Sequence, residues 1–467
     1  MPVYNRIDED IITALKAVVG DKYVLTDPER LAPYEKDESA NTACYRQPEA
    51  VVLPARTEEV AAIMRLANNR KFPVIPRGAG TGLEAGAIVN EYGGIVLSFE
   101  RMNAILEINE ENLYAVVEPG VITARLQAEA EKKGLLYAGD PCSGGSCFIG
   151  GNAATNAGGN RAVKYGTTRD QIYAVEVVTP GGDIVELGGR VKKMTTGYAL
   201  EKVIIGSEGT LGIITKLTLK LVPLPLHSAH ILAVFEDADK ALFTVNALQR
   251  ARVEVTCLEF MDNECIRVAE RFTGEKQVGS ERGNYIIIQV DGKSEDETDG
   301  VCVTVDEICR AQGAAEVFIG NAEKIWYSRK IFSEASGAEG VVAMEDFVVP
   351  PDCIAVLLRE LQVIGKDAGL AFRSVSHAGD GNIHLDVLKE RLSQEVWEER
   401  LGAFESAAYD VVYRLGGKIS GEHGIGGLRK DIMKRYTSPV ELQLMKALKK
   451  AWDPNLILNP GKIFDVD

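Results

Sequence analysis

The 467-residue chain is several times the usual size of one domain, so two or three domains are expected. Apolar and charged contents of 46% and 26% are ordinary for a globular protein. The formal charge of −16 argues against a nucleic-acid partner and against binding to an anionic membrane surface. A small anionic ligand would need local Arg or Lys side chains to overcome that field.

In chain order, residues 1–20 (MPVYNRIDEDIITALKAVVG) read as an acidic amphipathic helix and not as a secretory signal. No apolar run approaches the length of a bilayer span, so membrane insertion is not expected and a cytoplasmic location is. A strand over Ala50–Pro54, a helix over Thr57–Ala67 and a strand over Phe72–Pro76 follow. Thr57 and Glu59 are expected to form a capping box on that helix.

The run Arg77, Gly78, Ala79, Gly80, Thr81, Gly82 superficially matches the dinucleotide fingerprint. Its third glycine comes one residue early, and no helical periodicity follows before Asn90. The segment can instead form a nest of converging N–H groups that grips a diphosphate without a helix, or an ordinary surface loop; both readings are open on this run alone. Residues 140–160 carry almost no side chain larger than Thr apart from Phe148 and Ile149, as expected where backbone closely approaches a bulky ligand. Gly206–Gly212 is a third such stretch, just before a strand over Gly212–Lys220. Pro223 and Pro225 then break the pattern and mark a domain boundary.

The middle region alternates strand-like pieces (Ile231–Phe235, Tyr285–Val290) with long helical patterns, which predicts an α+β domain on one antiparallel sheet. The last fifty residues hold a Gly-rich loop, a helix ending near Trp452 and the turn Asn459-Pro460-Gly461. The expected organisation is 1–225, 226–415 and 416–467.

The eight cysteines include no C-x-x-C pair, so they read as free thiols and not as zinc or iron–sulfur ligands. Three of the five histidines fall in two short motifs, Ser376-His377-Ala378-Gly379-Asp380-Gly381-Asn382-Ile383-His384 and Ser420-Gly421-Glu422-His423-Gly424. Imidazoles and a carboxylate in such a pattern suit a divalent ion. Acid–base groups without a metal, or hydrogen-bonded structural histidines, also fit. His227 and His230 read as surface residues in the interdomain linker.

The three small-residue segments, with the wordings GGNAATNAGGN…YGTTRD and IGSEGTLGIIT, resemble the PCMH-type (vanillyl-alcohol-oxidase-like) FAD-binding domain over about residues 40–225. The two histidine motifs resemble the C-terminal domain of the FAD-linked D-2-hydroxyacid dehydrogenases and glycolate oxidase flavin subunits. The resemblance implies an α+β protein: an FAD domain, an antiparallel-sheet substrate (cap) domain, and a C-terminal segment completing the active site against the flavin.

It also implies that FAD is held by Arg77, Gly78, Ala79, Gly80, Thr81, Gly82, Asp140, Pro141, Ser146, Gly150, Gly151, Asn152, Asn156, Gly159, Tyr165, Gly166, Gly206, Glu208, Gly209, Ile213 and Asn459. The first loop has no His of the kind that links flavin covalently in some relatives, so non-covalent FAD is expected; Cys142 and Cys147 are the only nearby thiols that could form a thioether.

By the same resemblance, His377, His384 and Glu422 match ligands of a divalent metal (Fe, Zn or Mn), His423 a catalytic base, and Arg329 a binder of the substrate carboxylate. The alternative for Arg329 is a surface cation paired with Glu323 or Glu334. Two departures stand out. Val342–Asp346 lacks a Lys that some relatives carry, and Pro351 stands where a basic residue is usual. A second carboxylate-binding cation would then be missing, which favours a small 2-hydroxy monocarboxylate such as D-lactate over a dicarboxylate. Without an NAD fingerprint or iron–sulfur cysteines, electrons must pass to another acceptor. The overall wording resembles the dehydrogenase subunit of electron-bifurcating complexes, whose partner is an electron-transfer flavoprotein.

Overall fold

The computed structural model describes residues 3–340 and 342–466. The chain divides into two compact units: Met1–Gly158, Thr167–Leu224 and Glu422–Asp467 form the first, and Gly159–Gly166 with Pro225–Gly421 the second.

In the first unit the helix Glu9–Val19 is capped by Asp8, whose carboxylate accepts the N–H of Ile11, and it buries Ile11, Leu15 and Val19. A four-stranded sheet runs in the order β1 (Val24–Leu25), β2 (Ala50–Val52), β4 (Ile95–Ser98), β3 (Val74–Arg77). β2 and β3 both pair parallel with β4, as the strand–helix–strand reading requires. The connecting helix Thr57–Arg70 buries Val60, Ile63, Met64 and Ala67 on this sheet. The expected capping box is absent. Arg56 is the N-cap residue, the Thr57 hydroxyl donates to Glu176 instead, and Glu59 reaches back to the N–H of Ala55. Among the described residues no helix lies between β3 and β4, so the Gly78–Gly82 loop is not a Rossmann turn.

The larger sheet of this unit has the order β5 (Ile105–Asn109), β6 (Tyr114–Val117), β10 (Ile213–Lys220), β8 (Ile172–Val178), β9 (Ile184–Gly188), with β7 (Leu135–Leu136) and β11 (Val222–Pro223) paired beside it. Its apolar face packs on the helices Thr123–Glu131 and Ile149–Thr155 through Val117, Leu126, Ile149, Val175 and Leu217. The C-terminal helix Pro439–Trp452 ends where expected, and the chain then runs beside β3: Val74 donates to Ile457 at 2.8 Å and accepts from Asn459 at 2.9 Å.

The second unit is a seven-stranded, wholly antiparallel sheet. Its order is β15 (Glu316–Gly320), β12 (His227–Phe235), β14 (Asn284–Gly292), β13 (Val255–Met261), β17 (Phe372–His377), β18 (Asn382–Leu388), β16 (Val342–Val348). Helices cover it, and Leu232, Val234, Met261, Ile287, Phe332 and Val375 form a core cluster there. His227 and His230 lie in β12 and not in a linker. His227 is exposed, whereas His230 is half-buried and its Nδ1 accepts the Trp326 indole N–H at 3.1 Å. Among the described residues no helix is long and apolar enough to cross a membrane.

Candidate active site

In the first unit the three small-residue segments converge. A Cβ on Gly78 would lie 3.5 Å from the Cα of Gly151, and one on Gly209 would strike Pro76 at 2.9 Å. Gly206 and Glu208 donate backbone N–H groups to Ala153 and Ala154. Gly80 has φ +78°, and a side chain there would collide with the Arg77 guanidinium, which is buried and donates to the carbonyls of Pro33 and Ala87. Arg77 thus braces the loop from behind.

The same surface is suited to a large polar cofactor. Cβ positions on Gly82 and Gly151 would face open space. The Tyr137 hydroxyl, Ser207 Oγ and Asn459 Oδ1 are buried without a hydrogen-bond partner among the described residues, polar atoms that a bound ligand would satisfy. Asn459 donates its amide to the carbonyls of Gly86 and Glu208, which ties the C-terminal turn to the glycine segments. Cys147 is buried with its sulfur 3.2 Å from Thr123 Oγ1, and Cys142 is exposed.

Several residues expected at the cofactor have structural duties instead of, or besides, that one. Asn152 donates to Thr123, and Asn156 accepts from Thr167 and from the N–H of Arg169. Ile213 is a buried core residue at the start of β10. Gly159, Tyr165 and Gly166 belong to the second unit, where the helix Ala162–Tyr165 lies against β13. Glu208 turns both carboxylate oxygens on the C-terminal loop, accepting the N–H of Ile425 at 2.8 Å and of Gly426 at 2.7 Å. Burial raises the Glu208 pKa above the carboxylate norm, against the pull of these two N–H groups and of Lys462.

That loop, Glu422–Gly427, is built into the first unit. A Cβ on Gly158 would meet the Glu422 carboxylate at 2.7 Å, so the glycine leaves room for it. Gly426 has φ +52° and its N–H neighbour Gly427 donates to the carbonyl of Glu84. Arg429 pairs with Glu84 at 3.2 Å, both buried or nearly so. His423 therefore stands on a backbone fixed to the glycine segments.

In the second unit the two remaining histidines come together on a β-hairpin. His377 ends β17, His384 sits in β18, and the turn Ala378–Gly381 returns the chain so that the imidazole centroids lie 5.3 Å apart at right angles. Gly379 is required there: a Cβ would strike Val163 at 2.6 Å, while its N–H donates to Leu258. Behind each imidazole stands a buried carboxylate. Glu259 Oε1 is 2.8 Å from His377 Nδ1, and Asp346 Oδ1 is 3.5 Å from His384 Nδ1. Asp346 is itself held by Asn382 Nδ2 at 2.7 Å and Ser420 Oγ at 2.5 Å. At His377 the carboxylate at Nδ1 favours the tautomer with its proton there and leaves the Nε2 lone pair for a metal. The donor set of this hairpin thus fits a divalent ion.

Arg329 is not a surface cation paired with Glu323 or Glu334. It is buried on the helix Tyr327–Glu339, with Nε 3.1 Å from Glu259 Oε2. Glu259 and Asp346 are the carboxylates beside the hairpin imidazoles that the motifs missed. Glu259 sits in Val255–Met261, a strand buried at all seven positions. A carboxylate in the middle of an apolar run was the one available signal, since such a charge survives burial only when paired.

An FAD-dependent oxidoreductase of the PCMH type is the class that this fold and these sites define. Residues 48–188 match the FAD binding domain family and residues 224–463 the family of FAD linked oxidases, C-terminal domain. The chain is 39% identical over 473 residues to D-lactate dehydrogenase from Anaerostipes hadrus, covering 98% of each chain. It is 37% identical over 425 residues to glycolate oxidase subunit GlcD from Bacillus subtilis, covering 90% of each. The 4-ethylphenol oxidase from Gulosibacter chungangensis, solved with isoeugenol, has the same fold at a TM-score of 0.80 and 19% identity over 99% of both chains. The chain belongs to the FAD-linked oxidase family that contains these hydroxyacid dehydrogenases.

Proposed function

We propose that this enzyme oxidises a small D-2-hydroxy monocarboxylate, D-lactate foremost, to the 2-oxo acid. The observation that carries the reading is the hairpin pair His377 and His384, each backed by a buried carboxylate, with the Arg329 guanidinium joined to the same Glu259. The relative named a D-lactate dehydrogenase, similar along nearly the whole chain, supports the choice of substrate. Pro351 in place of a second cation supports a monocarboxylate.

The reaction removes the hydroxyl proton and a hydride from C2. Bound FAD, held non-covalently by the glycine segments and Asn459, supplies the two-electron acceptor for that hydride. A divalent ion held by His377, His384 and Glu422 would supply a Lewis acid beside the hydroxyl. Arg329 binds the substrate carboxylate through charge-assisted N–H donation and thereby sets which face of C2 is presented. His423 takes the hydroxyl proton, a role worth about 10²–10⁴-fold in rate. Glu422 and His423 directly follow Ser420 and Gly421, whose neighbours are Asp346 of β16 and the hairpin residue Asn382.

Electrons leave to a second protein. An electron-transfer flavoprotein, in a bifurcating complex, is the proposed acceptor. Eight free cysteines support a reducing, cytoplasmic setting.

The test is anaerobic bleaching of the bound flavin by D-lactate, L-lactate, glycolate and D-2-hydroxyglutarate, before and after chelation. Fast bleaching by D-lactate, lost on chelation and restored by a divalent ion, is the expected result. Preference for glycolate would move the enzyme to the glycolate oxidase branch, and no bleaching by any of the four would discard the catalytic assignment.

A further inference from the structure

Glu259 has two partners on two different elements. One oxygen meets His377 Nδ1 on β17 at 2.8 Å, and the other meets Arg329 Nε on the helix Tyr327–Glu339 at 3.1 Å. All three side chains are buried, at 1%, 3% and 5% exposure for Glu259, His377 and Arg329. The strand that carries Glu259 is otherwise apolar except for Thr256, which bonds Asp291. Nothing in the packing of that strand calls for a carboxylate; the two donors do.

We infer that Glu259 is a positioning residue that sets the imidazole of His377 and the guanidinium of Arg329 together, so that grip on the metal and grip on the substrate carboxylate are coupled through one side chain. The inference rests on the functional reading above and deepens it. A carboxylate is a rigid planar group with two acceptor oxygens. Accepting from Nδ1 fixes the ring plane of His377 and directs Nε2 outward as a lone-pair donor. Accepting from Nε fixes the plane of the guanidinium, whose remaining N–H groups share that plane. Neither ring nor guanidinium can turn without disturbing the oxygen pair that holds the other.

Amide and carboxylate differ sharply here. A Gln at 259 offers one acceptor oxygen and one donor nitrogen, so it can serve His377 or Arg329 but meets the other donor with an N–H of its own. An Asp keeps both acceptors on a stem one methylene shorter.

The experiment uses the full-length, FAD-loaded enzyme as wild type, E259Q, E259D, H377A and the double variant E259Q/R329M. Bound divalent metal is counted by elemental analysis, and its affinity is measured by competition with a chelator. KM and kcat for D-lactate are then measured at saturating metal. E259Q is expected to weaken metal binding about 10- to 100-fold. With metal restored, it should raise KM about tenfold or more while kcat changes less, because a charge-assisted contact is lost. E259D should recover part of both. The double variant removes the cation that E259Q leaves alone in the interior, which protects folding, and it should still bind metal weakly. Wild-type metal affinity in E259Q, or weakened metal binding with an unchanged KM, overturns the inference. Wild-type metal content in H377A would instead overturn the metal-site reading beneath it.

Discussion

The Glu208 carboxylate accepts the backbone N–H of Ile425, 217 positions further along the chain, at 2.8 Å, and its second oxygen accepts that of Gly426. A residue of the third glycine segment thereby holds the loop that presents His423. The substitution E208Q removes one of the two acceptors and leaves a buried N–H facing an amide donor. The expected cost is about 1–3 kcal/mol of stability, read as a lower melting temperature, with a fall in kcat larger than any loss of FAD. Unchanged melting and unchanged turnover would mean that the loop does not depend on this anchor.

Replacing His423 with Ala should leave FAD bound and lower the rate of flavin reduction by D-lactate about 10²- to 10⁴-fold. Anaerobic stopped-flow absorbance measures this directly. Reduction at the wild-type rate would remove His423 from the chemistry.

The substitution H384A, which deletes one imidazole of the hairpin, should abolish stoichiometric metal in the purified enzyme, and chelation of the wild type should reproduce its loss of flavin reduction. Elemental analysis paired with single-turnover reduction tests both halves. A variant that retains full metal would disprove the ligand assignment. Asp346 stands behind this imidazole, so D346N is expected to be intermediate, weakening metal affinity about 10- to 100-fold.

Lys462, in the turn that carries Asn459, donates to the carbonyl of Ala85, and burial lowers its pKa to about 8. Between pH 8 and the ordinary lysine value near 10.4, the unfolded chain holds a proton that the folded chain has released. Stability therefore rises with pH across that window, and the cost of the buried charge is fully present below it. Denaturant unfolding of the FAD-free protein should show wild type gaining stability relative to K462M from pH 8 to 10.5. Parallel curves for the two proteins would contradict this.

Much of the architecture could be read from the residues because it follows from local rules. Short β-branched runs gave the strands, the acidic amphipathic pattern of residues 1–20 gave the first helix, and the small-residue segments, read as places where backbone approaches a bulky ligand, are where the glycines of the first unit meet. Thr57 misled because a hydroxyl at a helix start can equally serve a distant carboxylate, here Glu176, which no local pattern reveals. The hairpin histidines were legible because a Gly-Asp-Gly-Asn turn dictates their proximity. Glu259 was not, since 118 positions separate it from His377 and only the pairing of β13 with β17 brings them together. Arg329 shows the same limit: the nearby acids Glu323 and Glu334 were the partners its sequence offered, while the fold supplied Glu259.

The polypeptide passes between the two units at four points, after Gly158, Gly166, Leu224 and Gly421. One practical consequence concerns dissection of the gene. A fragment ending at Leu224 would omit the residues at 457–459 that hydrogen-bond to Val74, so β3, already the last strand of its sheet, would present a bare edge to solvent. Such edges recruit other chains. The FAD module of this enzyme is therefore discontinuous in the gene, and a soluble minimal version would need residues 422–467 grafted back by a linker or supplied in trans.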